Sequence, residues 1–321
     1  MNAPPDRVTV ATTSTIAATS TIAATIEAAF LWACEQDVVC AKPGNVSIAS
    51  AGHGMNAGLF LASAQAACAP LAHHNASVGA RIEEAIVNTR AAAGCNTNLG
   101  IVLLCAPLAA AFETQPPPTS LPAFAASVRH ILRALSVEDA CAAYRAIALA
   151  NPGGLGEAAS QSVGTTPTVD LRAAMALAAD RDSIARQYAE DFRDVFGFGL
   201  ATFRAACAAR AASPTMLADA VLLTWLGFLA RCPDSHIARK HGNACAQRVS
   251  NEAAAWLAQG NARLCAPRAL GGWDAALKAS GINPGTSADL TVATLFAAAC
   301  LDPSMIARST HFSLETNTWQ R

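Results

Sequence analysis

Residues 77–94 read SVGARIEEAIVNTRAAAG, and this stretch indicates the fold class of the 321-residue chain. Its apolar residues recur every three or four positions, the spacing that places them on one face of an α-helix. Ser77 stands where an N-cap side chain is favoured, and Gly94 stands where a left-handed C-cap favours glycine. The stretch therefore predicts an α-helix that carries its own start and stop signals.

Helical periodicity of the same kind recurs along the chain, and alternating runs of β-branched residues between turns are nearly absent. The other segments that predict helices are 25–39, 55–68 with an end near Pro70, 99–113, 136–150, 168–196 as one or two helices, 213–230, 251–259 and 287–301. The predicted fold is all-α, a single compact multi-helix domain of about ten helices.

Composition also suggests the domain boundaries. Residues 1–24 contain the direct repeat TSTIAA and are rich in alanine and threonine, so we expect a low-complexity N-terminal tail there. The helical domain is then expected to span residues 25–321. The segment QPPPTSLP at 115–122 is the clearest loop, and a division into two helical bundles at this loop is the alternative.

Charge and hydropathy restrict the classes of partner. Of all residues 53% are hydrophobic and 14% are charged, against an average charged share of about a quarter, and the net charge is −1. No net field attracts nucleic acid or anionic lipid, and no apolar run is long enough for a membrane span, so we expect neither partner. The low surface charge leaves room for a homodimer.

The eleven cysteines lack the spacing of metal ligands, since no two of them are separated by only two residues. Most lie in apolar helical runs, as Cys68 and Cys105 do. Small buried thiols of this kind are typical of a reducing compartment, so we expect a cytoplasmic protein without disulfides or cysteine-bound metal.

Four polar islands interrupt the helices, and each is rich in glycine, asparagine or aspartate. They are KPGNVSIASAGHGM (42–55), GCNTNLG (94–100), CPDSHIARKHG (232–242) and GINPGTSADL (281–290). Backbone N–H groups at helix starts, side-chain amides and lysines can hold phosphate, and carboxylates can hold metal. Each island by itself has an ordinary explanation in helix capping. Together they predict a shared cleft.

The islands also resemble a known family. KPGNVS followed by GHGM, then NTNLG and finally NPGTSADL, is similar in order and content to the triphosphoribosyl-dephospho-CoA synthase family, from about residue 27 to 301. The resemblance implies an all-helical, ATP-using transferase of coenzyme biosynthesis. In the family reaction the 2′-hydroxyl of 3′-dephospho-CoA attacks C1 of the ATP ribose, and adenine leaves while the triphosphate stays attached.

The chain departs from the family pattern at three places. The family segment N-T-H-K-G is NTNLG here, with Asn98 and Leu99 in place of His and Lys; H-x-D-M is HGM; and D-T-N is DSH, ending at His236. PGGLG and AADRDSIARQYAEDF resemble a divergent branch, part of which is associated with one-carbon cofactor pathways. The alternatives are therefore an enzyme of the same scaffold that makes a pterin- or furan-type one-carbon cofactor and a non-catalytic helical binding protein.

Displacing a base from ribose C1 passes through an oxocarbenium-like state, for which carboxylates are suited. The resemblance implies Asp289 and Asp234 as catalytic residues or Mg²⁺ ligands, with His53 as a general acid or phosphate donor. Glu83, or its neighbour Glu84, is a third candidate ligand, for a Mg²⁺ that enters as Mg-ATP. The predicted phosphate- and ribose-binding residues are Lys42, Gly44, Asn45, Asn96, Arg239, Lys240, Asn283 and Gly285. The partners would be ATP and a small-molecule or coenzyme acceptor.

Overall fold

The computed structural model describes residues 7–153, 160–209, 211, 213, 215–260 and 270–307, with side chains from residue 20 onward. The predicted all-α class is confirmed: these residues form fourteen α-helices and one π-helix, and no strand. The helices are α1 Arg7–Val39, α2 Ala57–Ala72, α3 Val78–Ala93, α4 Leu99–Phe112, α5 Leu121–Arg133, α6 Val137–Ala150, α7 Leu171–Ala176, α8 Ser183–Ala189, the π-helix Asp194–Gly199, α9 Leu200–Ala209, α10 Met216–Arg231, α11 Ser235–His241, α12 Asn243–Ala258, α13 Gly271–Ala279 and α14 Gly285–Leu301. Residues 1–6 of the predicted tail and 308–321 of the predicted domain lie outside this part of the chain.

The sequence signals at helix ends act as predicted. The Ser77 hydroxyl accepts a hydrogen bond from the backbone N–H of Ala80, and Gly94 closes α3 with a left-handed φ of 69°. At α6 the Ser136 hydroxyl accepts from the N–H of Asp139, whose carboxylate accepts in return from the N–H of Ser136. These side chains satisfy N–H groups that have no partner inside the helix, and they fix where each helix begins.

The structure differs from the predicted elements in several respects, and α9, α11 and α13 have no predicted counterpart. The helix α1 begins at Arg7 rather than at residue 25, because residues 7–39 contain neither proline nor glycine to interrupt it. Pro70 lies inside α2, in its last turn, where little helix remains for its missing N–H to disrupt. The helix α5 was not predicted, although Ser120 caps it, because its start overlaps the proline-rich loop. Short helices such as α7 and α11 account for the higher count.

Two helices form the centre of the fold. Twelve of the fourteen residues of α4 are buried, as are fourteen of the seventeen residues of α14. Because these helices are apolar or small on every side, neighbours surround them, with α1 and α10 against α14 and α3 and α5 against α4. Phe30 of α1 meets Phe296 of α14 edge to face, with ring centroids 6.4 Å apart. Cys34, Cys68, Cys105 and Cys300 are free and buried in this core, as expected.

Within the described residues, no single helix is long and apolar enough to cross a membrane. The pair α10 and α11, which meet at a bend of 55°, passes that test together by length and composition alone.

The crossing of α3 and α6 depends on a glycine. The N–H of Gly79 donates to the Asp139 carboxylate at 2.7 Å, and a Cβ at Gly79 would lie 2.5 Å from the Asp139 Cα and 2.8 Å from its carbonyl oxygen. Both obstacles are backbone atoms, so a side chain at this position requires the two helices to separate.

We therefore expect Gly79→Ala to lower the free energy of unfolding by about 1–3 kcal/mol, the usual cost of overpacking a core contact. Gly272→Ala is the matched control, because Gly272 is an exposed helical glycine with no atom near its missing Cβ. That variant should be neutral or slightly more stable. Urea denaturation of the three proteins measures the difference, and equal stability of the two variants would contradict the packing analysis.

Candidate active site

The four polar islands meet around one cleft with a volume of 780 Å³, as the sequence predicted. Such a volume suits a nucleotide-sized ligand. Each island contributes predicted site residues to the lining, namely Asn45 and His53, Asn96, Arg239 and Lys240, and Asn283, Gly285 and Asp289. The structure thus brings these residues together, and their individual roles stay predictions.

The first and last islands are fastened to each other. The side-chain NH₂ of Asn45 donates to the side-chain oxygen Oδ1 of Asn283 at 2.6 Å. Gly44 has a φ of 80°, and a Cβ at this position would lie 2.8 Å from Pro284 Cδ. Gly44 therefore contributes to the loop through its backbone conformation and its close packing. His53 Nε2 lies 2.7 Å from the Gly44 carbonyl oxygen, which makes His53 a brace of this loop as well as a lining residue.

The prediction that Lys42 binds phosphate does not agree with its position. Its side chain is fully buried, and Nζ lies 3.0 Å from Asp37 Oδ1 and also donates to the carbonyls of Asp37 and Cys40. Lys42 is absent from the cleft lining, whereas Asp37, in the last turn of α1, belongs to it. A buried ammonium needs a carboxylate partner, and this need places Lys42 behind the cleft wall.

Asp234 also lies behind the wall, and its predicted roles as catalyst and metal ligand do not hold. One carboxylate oxygen accepts from the N–H groups of His236 and Ile237 at the start of α11. The other accepts from the N–H and the hydroxyl of Ser287, at 2.7 and 2.8 Å. Burial raises the pKa of Asp234, against the effect of these hydrogen bonds. With both oxygens occupied, Asp234 caps helices.

Glu83 lies outside the cleft, so its predicted role as a metal ligand does not hold either. Its carboxylate pairs with Arg145 through two hydrogen bonds of 2.6 Å on the surface between α3 and α6. Its neighbour Glu84 faces His73 at 3.9 Å, also on the surface. Both glutamates lie on the polar face of α3, and the apolar face of the same helix packs against the core.

Asp289 lies in the first turn of α14, lines the cleft, and has no hydrogen-bond or ion-pair partner among the described residues. A Cβ at Gly100 would overlap its carboxylate, so the missing side chain of Gly100 lets the start of α4 approach it. Burial raises the pKa of Asp289 well above the ordinary carboxyl value, and the charges of Asp37 and Asp234 raise it further. Ser287 lies inside the first turn of the same helix and donates to Asp234.

The sequence comparison agrees with this geometry. Residues 23–306 match the family described as ATP:dephospho-CoA triphosphoribosyl transferase (CitG). The chain belongs to this family. It is therefore a transferase whose family substrates are ATP and dephospho-CoA.

A solved structure supports the fold. The chain is similar to a candidate triphosphoribosyl-dephospho-CoA synthase from Archaeoglobus fulgidus, with a TM-score of 0.60 and 22% sequence identity over 76% of this chain and 99% of that one. At this identity the likeness concerns the fold. No curated protein matches the chain significantly.

Several polar lining residues of this transferase were not among the predicted sites, and they include Asp37, Asp182 and His236. Asp182 caps α8 and binds Arg239 at 2.8 Å, which holds that guanidinium at the cleft. His236 Nε2 is buried without a partner in the described residues. Burial, together with the neighbouring Lys240, Arg239 and His53, lowers the pKa of His236 to about 3. A neutral imidazole therefore faces the site.

The rest of the transferase cleft divides into a cationic and an apolar part. Arg90 and Arg181 join Arg239 and Lys240 in the lining, while Tyr144 and Ile147 of α6, with Val163, Met175 and Leu177, supply apolar surface. Polyphosphate and an uncharged ring or chain can therefore be held in the same cleft.

The low pKa of His236 gives a pH prediction for the transferase. An unfolded histidine titrates near 6.5, so between about pH 3 and 6.5 the unfolded state binds a proton that the folded state excludes. The contribution of neutral His236 to stability is thus fully present above pH 6.5 and lost as pH falls. Unfolding free energies of the wild type should fall more steeply with acid than those of His236→Asn, by up to about 1.4 kcal/mol per pH unit.

Urea denaturation at neutral and mildly acid pH measures this slope. His73→Asn is the control, since the His73 side chain is exposed. Parallel slopes for wild type and His236→Asn would show that His236 is not held neutral.

Proposed function

We propose that the cleft is the site at which this chain transfers the triphosphoribosyl group of ATP to a hydroxyl of dephospho-CoA. The observation that carries the proposal is Asp289, a half-buried carboxylate without a partner among the described residues, in a cleft that also presents four basic side chains. The hydroxyl oxygen bonds to ribose C1, the bond from C1 to adenine N9 breaks, and the triphosphate stays on the ribose. Positive charge develops on the sugar, so carboxylates in the lining stabilise the transition state.

The basic residues are suited to the triphosphate. Arg239 and Lys240 lie on α11, and Arg90 and Arg181 come from α3 and the turn before α8. Arginine offers a planar pair of donors to phosphate oxygens, and lysine offers a compact charge. The Asp182 carboxylate fixes Arg239 in place before the nucleotide arrives. Asn283 and Asn96 line the same cleft, and their side-chain amides are suited to hydrogen bonds with ribose hydroxyls.

Mg²⁺ fits the site as part of the Mg-ATP substrate. The described residues hold no group of three His, Cys, Asp or Glu side chains that could bind a metal by itself. Magnesium on a nucleotide keeps waters and phosphate oxygens as ligands and needs only one or two carboxylates. Asp289 can supply one, because its carboxylate lines the cleft and has no hydrogen-bond or ion-pair partner among the described residues. The ion would neutralise phosphate charge and fix the triphosphate.

A second class of acceptor substrate is favoured by one feature of the cleft. Leu99 lines the cleft at the position where the family segment N-T-H-K-G has its lysine, and Asn98 beside it is buried and donates to the Ser63 carbonyl. A loss of cationic charge beside Asp289 suits an acceptor with fewer phosphates, such as a pterin- or furan-type precursor of a one-carbon cofactor. A cytoplasmic location and a homodimer remain predictions.

Incubation with Mg-ATP and dephospho-CoA tests the reaction. We expect release of free adenine together with a mass increase of the acceptor by one triphosphoribosyl group. Adenine release that requires a pterin- or furan-type precursor in place of dephospho-CoA would favour the second acceptor class. If ATP is bound and no adenine is ever released with either class of acceptor, the proposed transfer is wrong.

Asp289→Asn tests the Mg-ATP site. As a ligand of the nucleotide-borne Mg²⁺, Asp289 should be essential, so the variant should fold and lose Mg-dependent ATP binding in calorimetry. As a helix-start carboxylate alone, it would cost at most about 1 kcal/mol of stability and leave binding unchanged. Glu83→Gln is the control, since Glu83 lies on the outer surface. Unaltered affinity in Asp289→Asn would remove Asp289 from the site.

A further inference from the structure

Two carboxylates line the cleft from neighbouring core helices, and their surroundings differ. Asp37 of α1 has an ammonium 3.0 Å behind it, and Asp289 of α14 has no cationic partner within the described residues. The two carboxylates interact, since the charge of Asp37 raises the pKa of Asp289.

Burying the charged side chain of Lys42 costs free energy, and its ammonium group contacts only the end of α1 and the residue that follows it among the described residues. Its Nζ reaches the Asp37 carboxylate and the carbonyls of Asp37 and Cys40, and its side chain has no exposed surface. A buried ion pair adds little net stability compared with apolar residues, whereas a buried carboxylate that loses its partner is strongly unfavourable. The pair is therefore best explained by a need for a charged Asp37 at the cleft wall.

Asp37 belongs to the cleft wall although most of its surface is buried. It is 5% exposed, it belongs to the cleft lining, and Lys42 is the only described residue whose side chain pairs with its carboxylate. An ionised carboxylate that is held in place and faces a cleft has the properties of a general base. When two carboxylates in one site have different partners, they take different protonation roles.

We propose that Asp37 is a further catalytic residue, which accepts the proton of the hydroxyl that attacks ribose C1, and that Lys42 is the residue that positions it. This inference rests on the proposed function. As the oxygen bonds to C1, its proton passes to the Asp37 carboxylate. The C1–N9 bond breaks and its electron pair leaves with adenine, which takes up one proton from water. Asp37 then returns its proton to water, so protons balance over the turnover.

Asp37→Asn keeps the size of the side chain and removes the base. We expect adenine release in the presence of dephospho-CoA to show a kcat lower by roughly 10²–10⁴-fold, the usual contribution of a general base, with Mg-ATP affinity by calorimetry unchanged. Asp194→Asn is the matched control. Asp194 is equally buried and pairs with Arg186 at 3.3 Å, but it does not line the cleft. It should keep the wild-type kcat.

Lys42→Met separates positioning from folding. The single variant leaves Asp37 without its cation, so kcat should fall. In the Asp37→Asn background the same change should alter kcat by less than about threefold, because residues that act as a unit are not additive. The double variant also has no uncompensated buried charge, so it should fold even if Lys42→Met does not. Independent, multiplicative losses would show that Lys42 acts elsewhere.

The outcomes for the two proposals are distinct. If the wild type releases no adenine, the proposed function fails before Asp37 is tested. If the wild type is active and Asp37→Asn retains a kcat within about threefold of it, the proposed function stands and the general-base role is wrong. A loss of Mg-ATP affinity in Asp37→Asn with unchanged kcat would likewise overturn the role and make Asp37 a binding residue.

Discussion

The cleft depends on one buried carboxylate that begins two helices. Asp234 accepts three backbone N–H groups and one hydroxyl, from the first turns of α11 and α14. Helix starts carry N–H groups without partners and the positive end of the helix dipole, so a single anion can satisfy two of them at once. The consequence is geometric. α11 carries His236 and Arg239, α14 carries Asp289, and their common origin fixes the distance between the cationic and the acidic side of the site.

The second organising feature is the distribution of charge that this framework leaves. Lys42 balances Asp37 from inside the protein, and Asp182 holds Arg239 from beside the cleft. Asp289 has no ion-pair partner among the described residues, and burial, with the charges of Asp37 and Asp234, raises the pKa of its carboxyl although Arg239 opposes the shift. Under the proposed function, the magnesium ion of Mg-ATP would bring further positive charge to this carboxylate.

Much of the fold was predictable because the signals are local. The caps at Ser77, Gly94 and Ser136 need only their own helix turns, and helical periodicity identifies α4 and α14 as elements. The positions of the four polar islands between helices were predictable for the same reason. The roles of individual polar residues within them were harder to predict. Lysine in a glycine-rich loop predicts phosphate binding, and the loop of Lys42 has the right composition, but the side chain turns inward to Asp37, which is only five residues away.

The sequence by itself determined the helical class, the capped ends of helices such as α3 and α6, and the four segments that form the cleft, because periodicity and capping act over a few residues. Only the tertiary structure decided which polar groups reach the cleft. Asp234 and Asp289 stand in similar motifs, yet one is saturated by donors from two helices, and the other packs against Gly100 at the cleft without a hydrogen-bond partner among the described residues. Glu83 was excluded by the face of α3 that it occupies, and Asp37 was included by the packing of α1 on α14. These outcomes depend on contacts between residues far apart in the chain, which no local pattern contains.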